Sequence, residues 1–154
     1  RPSLSLRHAE NIIDGAIITA RKHDMEPISV AVLDTGGHLI AFKREDGSGI
    51  LRAQIAIGKG WGALGMGASS RLLRDRLFAR QGFIASLTDA SEGRFVPVPG
   101  GVLVLDQESY IVGAVGISGD TSDRDELCAI DGIDCAGFAS EPKEPAADWE
   151  VSNL

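Results

Sequence analysis

The sequence lacks several features that mark whole classes of protein. No basic stripe offsets the formal net charge of −7, which argues against a nucleic-acid partner because phosphates would be repelled. No apolar run approaches the roughly 20 residues that a membrane-spanning helix needs, and no apolar signal segment follows Arg1. Cys128 and Cys135 lie about 10 Å apart along one predicted helix, too far for a disulfide. We therefore expect a reduced, cytoplasmic protein.

Common catalytic and cofactor signatures are also missing. The chain has no Walker loop, no Gly-x-Ser-x-Gly elbow and no recognisable Cys–His couple. The segment GISGDT precedes a predicted helix without the lysine of a phosphate-binding loop. The glycines of residues 58–67 lie within a predicted helix that no strand directly precedes, so they are no dinucleotide fingerprint.

Two pairs of apolar runs predict β-hairpins within a chain of 154 residues, long enough for one domain with a real core. Residues 28–34 (ISVAVLD) form a β-branched strand, and TGGH then makes a tight turn into the partner strand LIAFKRE. Residues 102–106 and the segment YIVGAVGIS make a second hairpin around QES. Before it, Pro97 and Pro99 predict a loop because proline cannot donate to a sheet ladder.

Helices are predicted between and around these hairpins. Ser5 caps the first, from Leu6 to near His23; the others cover residues 50–67, a segment from Ser69 or Ser70 to about Arg80, residues 82–88, and a helix from about Asp123 to Gly137 capped by Thr121 or Ser122. The fold class is therefore α/β (α+β), with an antiparallel sheet and helices packed around it. We expect a domain over residues 1–138 and a proline-containing tail over 139–154, docked by Trp149 and Val151.

The helix at 50–67 carries glycines at 58, 60, 62 and 65. Each costs up to about 1 kcal/mol relative to alanine in a helix. Such a helix is tolerated where something approaches it closely, and that partner is another helix, a sheet or a ligand.

Acids crowd the segment GAVGISGDTSDRDE, residues 113–126. Acids in the first turn of a helix are favoured by the helix dipole, so Asp123, Asp125 and Glu126 are expected to be mainly solvated, while Asp120 and Thr121 face a ligand. No calcium-loop spacing is present, and we expect no metal here.

Taken in order, VAVLDTGGHLIAFKREDGS, ILRAQIAIGKGWGALGMG, VPVPGGVLVL and IVGAVGISGDTSDRDE resemble the GlcG/HbpS family, which includes the C-terminal domain of PduO. The resemblance runs from about Leu4 to Gly137. It implies a profilin-like antiparallel sheet, a symmetric homo-oligomer, and a small-molecule ligand, in some members haem.

The resemblance implies a role for His8, because haem-binding members use a histidine of the first helix as an iron ligand. His23 lies about 22 Å further along that helix and cannot join it on one iron. Without a Cys-x-x-Cys-His sequence, haem would be held non-covalently. Arginines at 71, 74, 76 and 80 suit propionates, with Arg71 the candidate, although an acidic Glu-x-x-Glu iron motif is missing.

Other relatives act in aromatic-compound catabolism, which implies a hydrolase or deaminase of amino- or imino-muconate acids as an alternative. Arg52 and Lys59 lie seven apart on one helix face and could clamp a carboxylate. Asp120 or Asp125 could position water or accept a proton. Backbone N–H groups of Gly100 and Gly101 could bind the ligand as well. Alternatively, Lys59 pairs with Asp120 or Glu126, and the protein is a structural oligomer without a site.

Overall fold

A computed structural model describes residues 3–153. The helices of this part are α1 (Leu6–Lys22), α2 (Arg52–Met66), α3 (Ser70–Leu77), α4 (Gln81–Ala90) and α5 (Ser122–Cys135). The strands are β1 (Ser29–Leu33), β2 (Leu39–Arg44), β3 (Gly101–Leu105), β4 (Ile111–Ser118) and β5 (Ala139–Glu141). Among the described residues, none of the helices has the length and apolarity to cross a membrane.

The strands form one antiparallel sheet in the order β2-β1-β4-β3-β5. The two predicted hairpins, β1–β2 and β3–β4, are joined in the middle by the pairing of β1 with β4. The predicted α+β class with an antiparallel sheet is confirmed.

Helices cover both faces of the sheet. Successive side chains of a strand point to opposite faces, and in β3 Val102 and Val104 join the core that α1 and α5 supply, whereas Leu103 packs with Ala63 of α2. Helix α1 packs against α5, and α2 lies across β4, β1 and β3. The result is three layers, with α2 packed on β4, β1 and β3 on one side and α3 beside it in contact with β3.

The glycines of α2 are explained by what packs on them. A Cβ at Gly60 would lie 3.4 Å from the backbone nitrogen of Gly116 in β4. A Cβ at Gly58 would lie 2.6 Å from Val96, and one at Gly62 2.8 Å from Phe95. Of the three partners left open by the sequence, the sheet approaches the helix, and the loop before β3 is a further partner that the sequence did not suggest.

Part of the predicted tail belongs to the sheet. Residues 139–141 form β5, which pairs with β3 from Leu103 opposite Glu141 to Leu105 opposite Ala139. Further on, Trp149 packs against the core and its ring lies 5.1 Å from that of His23. Val151, also expected to dock the tail, is 79% exposed.

Candidate functional site

The end of β4, the loop before β3 and the middle of α2 meet at one place, and most of the predicted site residues lie there. Lys59 is the centre of this cluster. Its Nζ donates to the carbonyl oxygen of Ile117 at 2.9 Å and to Asp125 Oδ2 at 3.2 Å. The lysine is paired with Asp125, and not with Asp120 or Glu126 as the sequence suggested.

The Lys59–Asp125 pair is almost completely removed from solvent, with side chains 2% and 1% exposed. Burial lowers the pKa of Lys59, and the attraction of Asp125 only partly opposes this. Burial likewise raises the pKa of Asp125 to about 6 in spite of Lys59. Both shifts have the same cause, the poor solvation of charge in the interior.

Asp125 and Asp120 are fully engaged in holding the turn between β4 and α5. Asp125 Oδ1 accepts from the Asp120 N–H at 2.9 Å, and its Oδ2 also accepts from Gly119 at 3.3 Å. Asp120 accepts from the N–H groups of Glu26 at 2.8 Å and Thr121 at 2.7 Å. Burial raises the pKa of Asp120, but these donors together with the Arg124 guanidinium outweigh it, and the pKa falls below its usual value.

Two further predicted residues lie at this turn. Arg52 donates from Nη1 to Ser118 Oγ at 3.1 Å, and its charge adds to the lowering of the Lys59 pKa. Thr121 caps α5 by accepting from the Arg124 N–H at 3.4 Å. Arg52 and Lys59 therefore both reach the end of β4.

Gly100 and Gly101 leave room for Lys59. Gly100 has φ +123°, and a Cβ there would lie 2.8 Å from both Lys59 Nζ and the Ile117 carbonyl oxygen. A Cβ at Gly101 would collide with the Lys59 carbonyl group. The N–H of Gly101, which the sequence offered to a ligand, donates instead to Ser70 Oγ at 2.7 Å.

The expectation that the acids of α5 are solvated is wrong. Asp123, Asp125 and Glu126 are 4%, 1% and 0% exposed. Helix α5 packs against β3, β4 and β5, and within its first turns Asp125 pairs with Lys59 and Glu126 lies beside Arg71. Helical periodicity could not show this burial, because the partners come from distant parts of the chain.

Glu126 is the most unusual of these acids. Its Oε2 lies 3.4 Å from Arg71 Nε, yet neither carboxylate oxygen has a hydrogen-bond partner. Burial raises its pKa to about 7, and the nearby Arg71 only partly offsets this. Arg71, a predicted ligand residue, also donates from Nη2 to the Glu144 carbonyl oxygen at 2.9 Å. Within residues 3–153, no group of three or more acids, histidines and cysteines is arranged to hold a metal ion.

His8 lies apart from this cluster, at the start of α1. Its backbone N–H donates to Ser5 Oγ at 3.1 Å, and its Nδ1 accepts from the Ser5 N–H at 3.2 Å, which completes a capping box. The imidazole ring meets the ring of Phe138 edge-on, with centroids 5.0 Å apart. A groove of about 350 Å³ is lined by both rings.

This groove continues into a larger one of about 740 Å³ along α5 and β5. The two grooves share four lining residues, Asp106, Gln107, Gly137 and Phe138. We call the combined surface the Phe138 groove. Leu105, Leu127 and Ile130 supply its apolar wall, and the acidic side chains on it are Asp106, Asp131, Asp134 and Glu144. Among the described residues that line the larger part, Lys143 is the one cation.

Phe138 was missed by the sequence analysis, although a signal for it exists. Gly137 has φ +86°, its N–H donates to the Asp134 carbonyl, and the Phe138 N–H donates to the Ile133 carbonyl. This is the Schellman arrangement, in which a glycine after the helix is followed by an apolar residue that packs back. The sequence Ala-Gly-Phe at a helix end therefore points to such a residue.

The other two histidines have less room around them. His23 shares a small groove of about 130 Å³ with Trp149. The side chain of His38 is 81% exposed, with Nδ1 3.2 Å from Asp34 Oδ1. His8 is therefore the histidine placed on a groove large enough for a sizeable ligand.

Comparison with known proteins finds a family model and several similar proteins. A family sequence model described as "Haem degrading protein HbpS-like" matches residues 4–134. An uncharacterised 15.0 kDa protein from the dhaT–dhaS intergenic region of Citrobacter freundii is 27% identical over 109 residues, covering 71% of this chain and 75% of the relative. A double mutant of Streptomyces reticuli HbpS is 27% identical with TM-score 0.75, covering 89% of each chain. A haem complex of the PduO C-terminal domain has the same fold, with 22% identity, TM-score 0.79, and coverage of 90% of this chain and 98% of that one.

Proposed function

Because the chain belongs to the HbpS-like family of haem-degrading proteins, we propose that it binds haem non-covalently in the Phe138 groove. The observation that carries this proposal is the position of His8, whose imidazole lines a groove next to an aromatic ring. The haem complex of the similarly folded PduO domain supports the choice of ligand.

The groove is large enough for a small molecule, and its lining is partly apolar and partly charged. Its two parts, about 740 and 350 Å³, fall in the range of roughly 300–1,000 Å³ of small-molecule sites. Leu105, Leu127, Ile130 and Phe138 would contact the porphyrin ring, and His8 would supply a nitrogen to the iron. Bound haem would supply redox and oxygen chemistry that the protein side chains lack.

Iron binding by His8 requires a change in its capping box. The Ser5 N–H donates to Nδ1, so in the neutral imidazole Nε2 carries the proton. A histidine that ligates through Nε2 carries its proton on Nδ1 instead, where it needs an acceptor. Haem binding therefore replaces the Ser5 N–H···Nδ1 bond, whose loss is worth about 1 kcal/mol.

The acidic residues of the groove affect where the haem propionates can lie. Asp106, Asp131, Asp134 and Glu144 face one cation, Lys143, so ionised propionates are repelled unless they point to solvent or to Lys143. We therefore expect haem affinity to increase when salt screens this repulsion, within a Debye length of about 10 Å at 0.1 M.

The test is a haemin titration followed by absorption spectroscopy. Wild-type protein is expected to give a saturable, shifted Soret band that His8→Ala abolishes. His23→Ala is the matched control. The ring of His23 also meets an aromatic ring edge-on, that of Trp149, but His23 lies on a much smaller groove. A Soret shift that survives His8→Ala, or no saturable shift at all, contradicts the proposal and leaves another carboxylate-bearing ligand to be sought.

A second candidate function is a hydrolase or deaminase acting on amino- or imino-muconate acids at Lys59. The observation that favours it is the lowered pKa of Lys59 beside Arg52, since perturbed pKa values concentrate at functional sites. Asp120 and Asp125 are weaker candidates for a base, because backbone N–H groups already occupy their oxygens.

This alternative is tested by ammonia release from 2-aminomuconate. Activity that is lost in Arg52→Gln and kept in Arg44→Gln would support it, because Arg44 lies on β2 and donates to the Ser48 carbonyl oxygen, away from the Lys59 cluster. The absence of ammonia release and of haemin binding together would favour a structural oligomer without a ligand site.

A further inference from the structure

A separate apolar groove lies between α2 and α4. It has a volume of about 190 Å³, and its lining includes Trp61, Met66, Leu87 and Phe95. None of these side chains belongs to the Lys59 cluster or to the Phe138 groove. The proposed haem function therefore does not involve this groove.

The size of this groove suits one aromatic ring. An engineered apolar cavity of about 150 Å³ is enough to bind benzene. Gly62 and Gly65 also line the groove, and they leave one side of α2 without side chains. A Cβ at Gly65 would lie 3.9 Å from Trp61 Cζ3, which is ordinary van der Waals contact, so this part of the groove has room for a side chain.

Arg94 is exposed and contacts two residues that line the groove. Arg94 places its guanidinium carbon 4.2 Å from the centre of the Trp61 ring, and its Nε donates to the Ser91 carbonyl oxygen at 3.0 Å. Trp61 and Ser91 both line the groove. Within residues 3–153, the two terminal nitrogens of Arg94 make no hydrogen bond. A guanidinium held in this way is suited to bind a carboxylate through two parallel hydrogen bonds.

We propose that the groove between α2 and α4 binds a small aromatic carboxylate. The ring contacts Trp61, Met66 and Phe95, and the carboxylate pairs with Arg94. The charge of Arg94 selects an anion, and the apolar lining selects a ring. This site is independent of His8, and its failure would leave the haem proposal untouched.

Benzoate is the probe, followed by ¹H–¹⁵N NMR of the full chain. Saturable shifts are expected at residues 61–66 and 87–95. Benzyl alcohol, which lacks the charge, should bind at least tenfold more weakly. Arg94→Gln should weaken benzoate binding by at least tenfold, whereas Arg76→Gln, at an exposed arginine of α3, should leave it unchanged.

Gly65→Leu supplies a steric test that does not depend on charge. Leucine is a better helix former than glycine, so the fold is expected to persist while the side chain fills the groove and abolishes binding. Benzoate binding that persists in Gly65→Leu, or is equal in Arg94→Gln and wild type, overturns the proposal. The proposal is also overturned if benzoate causes no saturable shifts at concentrations up to roughly 10 mM, which is above a millimolar Kd. It is overturned as well if the shifts accompany a change in oligomeric state.

Discussion

The carboxyl group of Glu126 is buried without a hydrogen-bond donor, and this burial raises its pKa to about 7, which favours the neutral form in the folded protein. In the unfolded chain the same group titrates near 4.5. Between these pH values the folded state binds more protons than the unfolded state. Stability is therefore lost as the pH rises from about 4.5 to about 7, and the loss is complete above that range.

Glu126→Gln removes this dependence because the amide has no charge to bury. Relative to wild type, the free energy of unfolding of the variant should rise by on the order of 3 kcal/mol between pH 4.5 and 8, from 1.36 kcal/mol per pKa unit. Urea unfolding at the two pH values measures it. Glu108→Gln, at an exposed turn position, should show no such difference, and an equal effect of Glu126→Gln at both pH values would contradict the prediction.

At the scale of elements, the loop into β3 is shaped by the lysine beside it. Gly100→Ala places a Cβ 2.8 Å from Lys59 Nζ at φ +123°. Backbone strain of this kind alone costs about 1–3 kcal/mol, and displacement of the buried ammonium adds to it. We expect thermal unfolding to show a larger loss of stability than in Gly93→Ala.

Gly93 is the matched control because it combines φ +83° with empty space around the added methyl group. The excess effect of Gly100→Ala over Gly93→Ala therefore measures crowding against Lys59 and the Ile117 carbonyl oxygen, together with the greater backbone strain at φ +123°. Each kcal/mol lowers the Tm by roughly 2–4 °C in a chain of this size. Equal losses in the two variants would contradict the prediction.

The elements themselves were largely predictable, whereas the site was only partly so. Capping residues and apolar periodicity located both hairpins, the helix start at Ser5, and the starts at Ser69 and Thr121 to within one residue, because these signals are local. Strand β5 has three residues and precedes proline, so it carries no periodicity. The Phe138 groove joins His8 to a residue 130 positions later, and no local pattern reports such a contact.

At the scale of the whole molecule, exposed apolar side chains bear on assembly. Ile50 and Leu51 are adjacent and 95% and 64% exposed, and Phe78 is 74% exposed. Neighbouring exposed apolar residues mark interaction surfaces when they form a patch. The homo-oligomer implied by the resemblance would cover this pair, which immediately precedes Arg52 and the Lys59 cluster.

We therefore expect the chain to self-associate through the start of α2. In light scattering coupled to size-exclusion chromatography, wild-type protein should elute as an oligomer, and Ile50→Glu combined with Leu51→Glu should shift it to a smaller species, because charge at a packed interface is poorly solvated. Val151→Glu is the control, since Val151 is also largely exposed, at 79%, but lies in the C-terminal segment. The prediction is contradicted if the wild-type protein is monomeric, or if the oligomer persists with both glutamates. Either result would mean that assembly does not explain the exposure of Ile50 and Leu51.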